Sequence, residues 1–204
     1  LSDPFLLTDM DKAVVRIQEA IENEELMVIY GDYDVDGISA TAILYECLTS
    51  QGAHVRCKLP TRGSGYGLTR AALESLASKG FKLVVTVDNG ISAVEEAACA
   101  KELGLDLIIT DHHLPGDTLP DAIAVVDPKR PDDESPFKDL CGAGVALVSL
   151  WFAWPFANSQ LQMVLMMLPF IFLGALLLSH RRTTLYGFDC NMVILLALSP
   201  HFPY

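Results

Sequence analysis

Five short runs constrain the fold more than any other feature of this 204-residue chain. They are LMVIY (26–30), VRCKL (55–59), LVVTV (83–87), LIIT (107–110) and AIAVV (122–126). Several are apolar at successive positions rather than at alternate ones, which suits strands buried on both faces, as in a parallel sheet. Between them lie stretches with helical spacing. Ala13, Val14, Ile17, Ala20 and Ile21 follow a Thr8–Asp11 stretch that resembles a helix start, with carboxylates where the first turn would be. Further helices are expected over Ile38–Gln51, Thr69–Ser78 and Ser92–Leu103, each closed by a nearby glycine (Gly52, Gly80, Gly104). A glycine-rich loop, PTRGSGYG, occupies 60–67. Strands alternating with helices predict an α/β fold, a mainly parallel sheet flanked by helices, over residues 1–148.

Polar residues then fall at equivalent places. Asp32, Asp34 and Asp36 follow the first strand, Asp88 the third, and Asp111, His112 and His113 the fourth. In an open α/β sheet the carboxyl ends of the strands border the crevice where ligands bind, so segments far apart in sequence aim at one place. Taken singly, each cluster has a plain reading. An Asp-rich turn is usually a solvated loop, Asp88-Asn89-Gly90 is ordinary turn chemistry, and a His-His pair is common on surfaces. Their joint placement favours a divalent cation. Oxygen and imidazole donors suit manganese or magnesium, and two such ions about 3.5–4 Å apart would serve an in-line phosphoryl displacement.

The net charge of −12 is unfavourable for a polyanionic partner. Five cysteines, widely spaced and without a CxxC pair, suggest neither a disulfide framework nor a zinc site; they fit core cysteines in a reducing compartment.

The strings GDYDVDG, VDNGIS and TDHHLPGD, in this order, resemble motifs I, II and III of the DHH phosphoesterase superfamily. DPFLLTDMDKAV, ITDHHLPGDTLP, AVVDPKRPDD and CGAGVAL are similar to the RecJ-type, single-strand-specific 5′→3′ DNA exonucleases of that superfamily, over residues 2–148. The resemblance implies a DHH-type domain and makes Asp34, Asp36, Asp88 and His112 metal ligands for manganese, with magnesium as the alternative and two ions in the intact family. It implies catalytic roles for Asp111, His112 and His113, with His113 either near the scissile phosphate or supporting the metals and Asp111 an orienting residue behind the ligands. Asp32 shapes the loop, and Gly37 allows the turn into the helix. Arg62, Gly142 and Gly144 are substrate candidates, the glycines either admitting a phosphate to backbone N–H groups or only permitting close packing. Ser64 and Gly65 precede Tyr66-Gly67 where relatives carry a carboxylate, and the loop is one residue shorter, so it departs from the pattern between Arg62 and Tyr66.

From Ser149 onward the character changes. Asp189 is the only acidic residue, Arg181 and Arg182 are the only basic ones, and nothing resembles the family's fourth motif with its bridging aspartate. Residues 161–178 carry one polar side chain, Gln162, which meets the usual length for a membrane-spanning candidate. The 149–204 tail is expected to be the product of a shifted reading frame; a transmembrane segment or a buried apolar segment are the alternatives.

The function expected is metal-dependent hydrolysis of single-stranded DNA in repair and recombination, impaired by the absent fourth motif. A DHH phosphodiesterase of short oligonucleotides or cyclic dinucleotides, and a catalytically inactive fragment, are the alternatives. Single-stranded DNA is the expected partner and the cytoplasm the expected location. A membrane enters only if the apolar segment is genuine.

Overall fold

A computed structural model describes residues 3–60 and 67–153. After a short 3-10 turn at Pro4–Leu6, the chain forms α1 (Met10–Glu22), β1 (Met27–Tyr30), α2 (Val35–Ser50), β2 (Val55–Lys58), α3 (Arg70–Ser78) and β3 (Leu83–Val87). It continues through α4 (Val94–Glu102), β4 (Asp106–Thr110), β5 (Ala124–Val126) and α5 (Gly142–Ala153). The five strands form one sheet in the order β2-β1-β3-β4-β5, and every neighbouring pair is parallel. The expected α/β class is therefore the observed one.

Side chains alternate across the sheet because the strand period is two. Met27, Ile29, Val85, Ile108 and Val126 face one core, which they share with residues of α1, α2 and α5. Val28, Tyr30, Val84, Ile109 and Val125 face the other, shared with α3 and α4. Burial on both faces explains why these strands read as continuous apolar runs. The strand order also makes the chain reverse its direction of winding between β1 and β3, the switch point at which open α/β sheets bind ligands.

α3 and α4 begin at Arg70 and Val94, one and two residues later than expected, and two other helix starts differ in how they are capped. Asp9 occupies the α1 N-cap in left-handed backbone (φ 64°) without capping it. Its carboxylate instead accepts hydrogen bonds from Lys12 Nζ (2.5 Å) and from Arg130 Nη1 (2.7 Å). Arg130, itself buried, also donates to the Val125 carbonyl and grips Asp132 through Nε and Nη2. The Thr8 N–H donates to Asp133 Oδ2 (2.8 Å), so the loop after β5 is sewn to the start of α1. The second difference is at α2, which begins at Val35 rather than Ile38, because Asp34 caps it by accepting the Gly37 N–H (2.9 Å).

Among the described residues no helix is long and apolar enough to cross a membrane. The 161–178 stretch and the rest of the tail beyond Ala153 lie outside them.

Candidate metal centre

β1 ends at Tyr30, and the chain then folds back over the first turn of α2. A Cβ on Gly37 would stand 2.6–2.8 Å from the Asp32 Cβ, N and Cα. Glycine is needed there because the backbone of Asp32 passes so close. Gly37 is already inside α2 and not at a positive φ, so the turn role expected for it gives way to a packing role. Asp32 is buried, with Oδ1 accepting the Tyr33 N–H at 2.6 Å.

Asp88 follows β3 in left-handed backbone (φ 62°). Asn89, fully buried beside it, donates through Nδ2 to the carbonyls of Tyr30 (3.1 Å) and Val87 (2.9 Å) and so ties the ends of β1 and β3 together. The ligand atoms of Asp32, Asp34 and Asp88 all lie within 4.8 Å of one another, and so do those of Asp88, His112 and His113. Asp88 belongs to both groups. Its carboxyl is pushed up to about 7, first by burial, with the His112 contact opposing and Asp36 and Asp34 adding like charge. Asp88 Oδ1 stands 3.0 Å from His112 Nε2, yet among the described residues this buried oxygen lacks a partner in hydrogen-bond geometry. The cluster is short of positive charge.

Asp111 is arranged differently. It is 1% exposed and accepts the backbone N–H groups of Ile91 (2.9 Å), His112 (2.7 Å) and His113 (3.2 Å). Its Oδ1 also meets His113 Nδ1 at 2.7 Å. Burial alone would raise its carboxyl, but these bonds outweigh it and hold Asp111 below the ordinary carboxylate range. An ionised, acceptor-only Asp111 requires Nδ1 of His113 to be the donor. That bond lifts His113 to about 9, so its exposed imidazole carries a positive charge at neutral pH.

Asp36 lies in the first turn of α2. Its two oxygens accept the N–H groups of Gly142 (2.7 Å) and Ala143 (2.8 Å) at the start of α5. Oδ2 also lies 3.5 Å from His112 Nε2. A Cβ on Gly142 would meet the Asp88 Cβ and Oδ1 at 2.6 Å, and one on Gly144 would meet Leu140 Cδ2 at 3.1 Å. Of the two uses open to these glycines, the structure shows close packing. The Gly142 N–H is committed to a carboxylate and is not offered to a phosphate. Arg62, with Ser64, Gly65 and Tyr66, lies outside the described residues.

One residue was missed. Asp127 is fully buried at the end of β5. The signal for it was present, since it follows AVV just as Asp88 follows LVVTV, but the adjoining Pro128 made the stretch read as the opening of a loop.

The sequence and the fold have counterparts among known proteins. The profile of the DHH family, N-terminal domain, matches residues 26–174. The chain belongs to the DHH family. That match runs beyond Val148, where the resemblance of individual strings stops, into residues outside the described set. Single-stranded-DNA-specific exonuclease RecJ of Bacillus subtilis is 50% identical to this DHH chain over 145 residues, covering 71% of the chain and 18% of that protein. RecJ of Escherichia coli K12 is 39% identical over 142 residues, covering 69% and 25%. Among solved structures, exonuclease RecJ bound to manganese superposes with a TM-score of 0.65 at 34% identity, covering 71% of this chain and 37% of that one. RecJ of Thermus thermophilus in complex with Mn2+ gives 0.60 at 33% identity, covering 71% and 20%. The DHH chain thus spans only about a fifth to a quarter of the length of these curated relatives.

Proposed function

We propose that this DHH chain carries the cation-binding part of a manganese-dependent phosphodiesterase, with magnesium as the alternative ion, acting on single-stranded DNA from its 5′ end. The observation that carries the reading is the double membership of Asp88, whose ligand atoms group both with Asp32 and Asp34 and with His112 and His113. The donor set fits, because hard carboxylate oxygens with imidazole suit manganese. The buried Asp88 Oδ1, which accepts no hydrogen bond although His112 Nε2 stands 3.0 Å away, is the atom such an ion would satisfy. Asp34, Asp36, Asp88 and His112 are the proposed ligands, with Asp32 beside them and Asp36 also anchoring α5. A divalent cation bound there would supply positive charge to the cluster, activate a water and stabilise a leaving oxygen.

The protein's own residues prepare the rest. Asp111 fixes the tautomer and charge of His113, which faces solvent where a substrate phosphate would approach. Asp34 at the α2 N-terminus keeps the loop closed over the helix. Single-stranded DNA as substrate and 5′→3′ polarity come from the likeness to RecJ; Arg62 is the proposed phosphate contact, and the cytoplasm is the compartment the reading implies.

The test uses the 204-residue chain with labelled single-stranded and duplex DNA in manganese or in chelator. Slow manganese-dependent shortening of the single strand, slow because the chain shows no fourth motif, and abolished in the double variant Asp34→Ala, Asp88→Ala, is the expected result. Shortening that persists in the double variant overturns the assignment of these residues.

A further inference from the structure

The start of α5 meets two of the proposed ligands at once. Its first two residues, Gly142 and Ala143, donate their N–H groups to Asp36 Oδ2 (2.7 Å) and Oδ1 (2.8 Å) from 106 and 107 residues away in sequence. A helix has no internal acceptors for its leading N–H groups. In α5 it is the Val145 N–H that reaches back to the Cys141 carbonyl (2.9 Å). Gly142 also lies against Asp88, since a Cβ there would meet the Asp88 Cβ and Oδ1 at 2.6 Å. One helix end therefore grips Asp36 and abuts Asp88.

The grip has two possible uses. As a cap, Asp36 satisfies two orphan donors of α5, and the helix is of no consequence to a cation. As a held ligand, Asp36 is fixed by two charge-assisted hydrogen bonds, with Oδ2 kept 3.5 Å from His112 Nε2. The geometry favours the second use. One oxygen suffices to cap a helix, whereas here each oxygen takes its own N–H, which sets the plane of the carboxylate. Carboxylates that ligate metals are themselves oriented by hydrogen bonds, and those partners matter to affinity. The positive end of the α5 dipole also eases the crowding of Asp36 with Asp88.

We infer that Gly142 and Ala143 are positioning residues for the ligand Asp36, so that cation binding and the docking of α5 are linked. The inference rests on the metal reading above and extends it to the helix that carries the chain on to Ala153. Linkage is reciprocal: the factor that the docked helix contributes to cation affinity is the factor by which a bound cation tightens the docking.

The donor can be deleted without touching the carboxylate. Proline is tolerated in the first turn of a helix, so Ala143→Pro removes the N–H given to Asp36 Oδ1, while Ala143→Ser keeps it. Three quantities are measured on the full chain. They are manganese affinity from the free-ion signal in electron paramagnetic resonance, amide exchange over residues 138–147 by mass spectrometry with and without manganese, and thermal stability in chelator. Positioning predicts manganese binding weaker by about 10–100-fold in Ala143→Pro and unchanged in Ala143→Ser. It also predicts that saturating manganese slows exchange at the start of α5 in the parent by a comparable factor, and far less in Ala143→Pro. Capping alone predicts a proline variant of lower thermal stability whose manganese affinity matches the parent's; that result overturns the inference and leaves the metal reading intact. The exchange measurement on the parent needs no variant, so it decides the matter even where proline unfolds the helix. Exchange indifferent to bound manganese overturns the inference. A parent chain that binds no manganese overturns the metal reading and the inference with it.

Discussion

Replacing Asp88 with asparagine should make the metal-free protein more stable at alkaline pH while removing its response to manganese. Asp88 is 1% exposed, and its carboxyl is pushed from 3.8 to about 7, mainly by burial. A carboxyl raised in the fold favours the neutral form, so the stability it gives is complete below 3.8. That stability declines as pH rises and is gone above about 7. At about 1.4 kcal/mol for each pH unit, ionising Asp88 in the fold costs on the order of 4 kcal/mol, of which about 3 kcal/mol is lost between pH 5 and pH 8. Asparagine keeps the shape and cannot ionise.

Asp127, raised to about 6 by burial, loses its contribution by pH 6. His113, raised to about 9 by Asp111, loses its own only as pH climbs from its ordinary value through 9. Both slope the same way as Asp88, so the parent curve alone cannot isolate it; the difference between parent and Asp88→Asn can. In chelator the gap in melting temperature should widen in favour of the variant by roughly 6–12 °C from pH 5 to pH 8, at 2–4 °C per kcal/mol for a chain of this size. In manganese at about a hundred times the dissociation constant, the parent should regain about 2.7 kcal/mol and the variant almost none. A gap that stays constant with pH, or a variant less stable than its parent at pH 8 in chelator, refutes the argument that this carboxylate is held buried and short of charge.

Gly142→Ala should keep α5, since alanine normally favours a helix over glycine by about 1 kcal/mol. Its Cβ would stand 2.6 Å from Asp88, however, and manganese affinity by titration calorimetry should fall at least about tenfold. Arg130→Ala removes a buried guanidinium that joins Asp9, Asp132 and the Val125 carbonyl. A loss of about 3 kcal/mol in urea unfolding is expected, with Arg130→Lys intermediate because it keeps the charge and loses the fork; an unchanged urea midpoint would show the clamp to be idle.

The fold was legible because β1, β3 and β4 are covered on both faces, and such strands announce themselves as unbroken apolar runs. The gathering of carboxylates followed from the same fact, since parallel strands deliver their carboxyl ends to one edge. What could not be read was how each carboxylate oxygen is employed. Asp34, Asp36 and Asp111 look alike in sequence, yet one caps α2, one takes both leading N–H groups of α5 from more than a hundred residues away, and one is saturated by three backbone donors and an imidazole. The role of Gly37 was misjudged, and that of Gly142 left open, for a related reason. Their need for glycine comes from the approach of Asp32 and Asp88, which no local turn rule contains. The two that remain short of partners, Asp88 and Asp127, are buried as deeply as Asp111 and differ from it in what their neighbours have already used. A cation site in this fold is thus defined less by where acidic residues occur than by which of their oxygens the backbone leaves unsatisfied, and that selection is made by tertiary contacts.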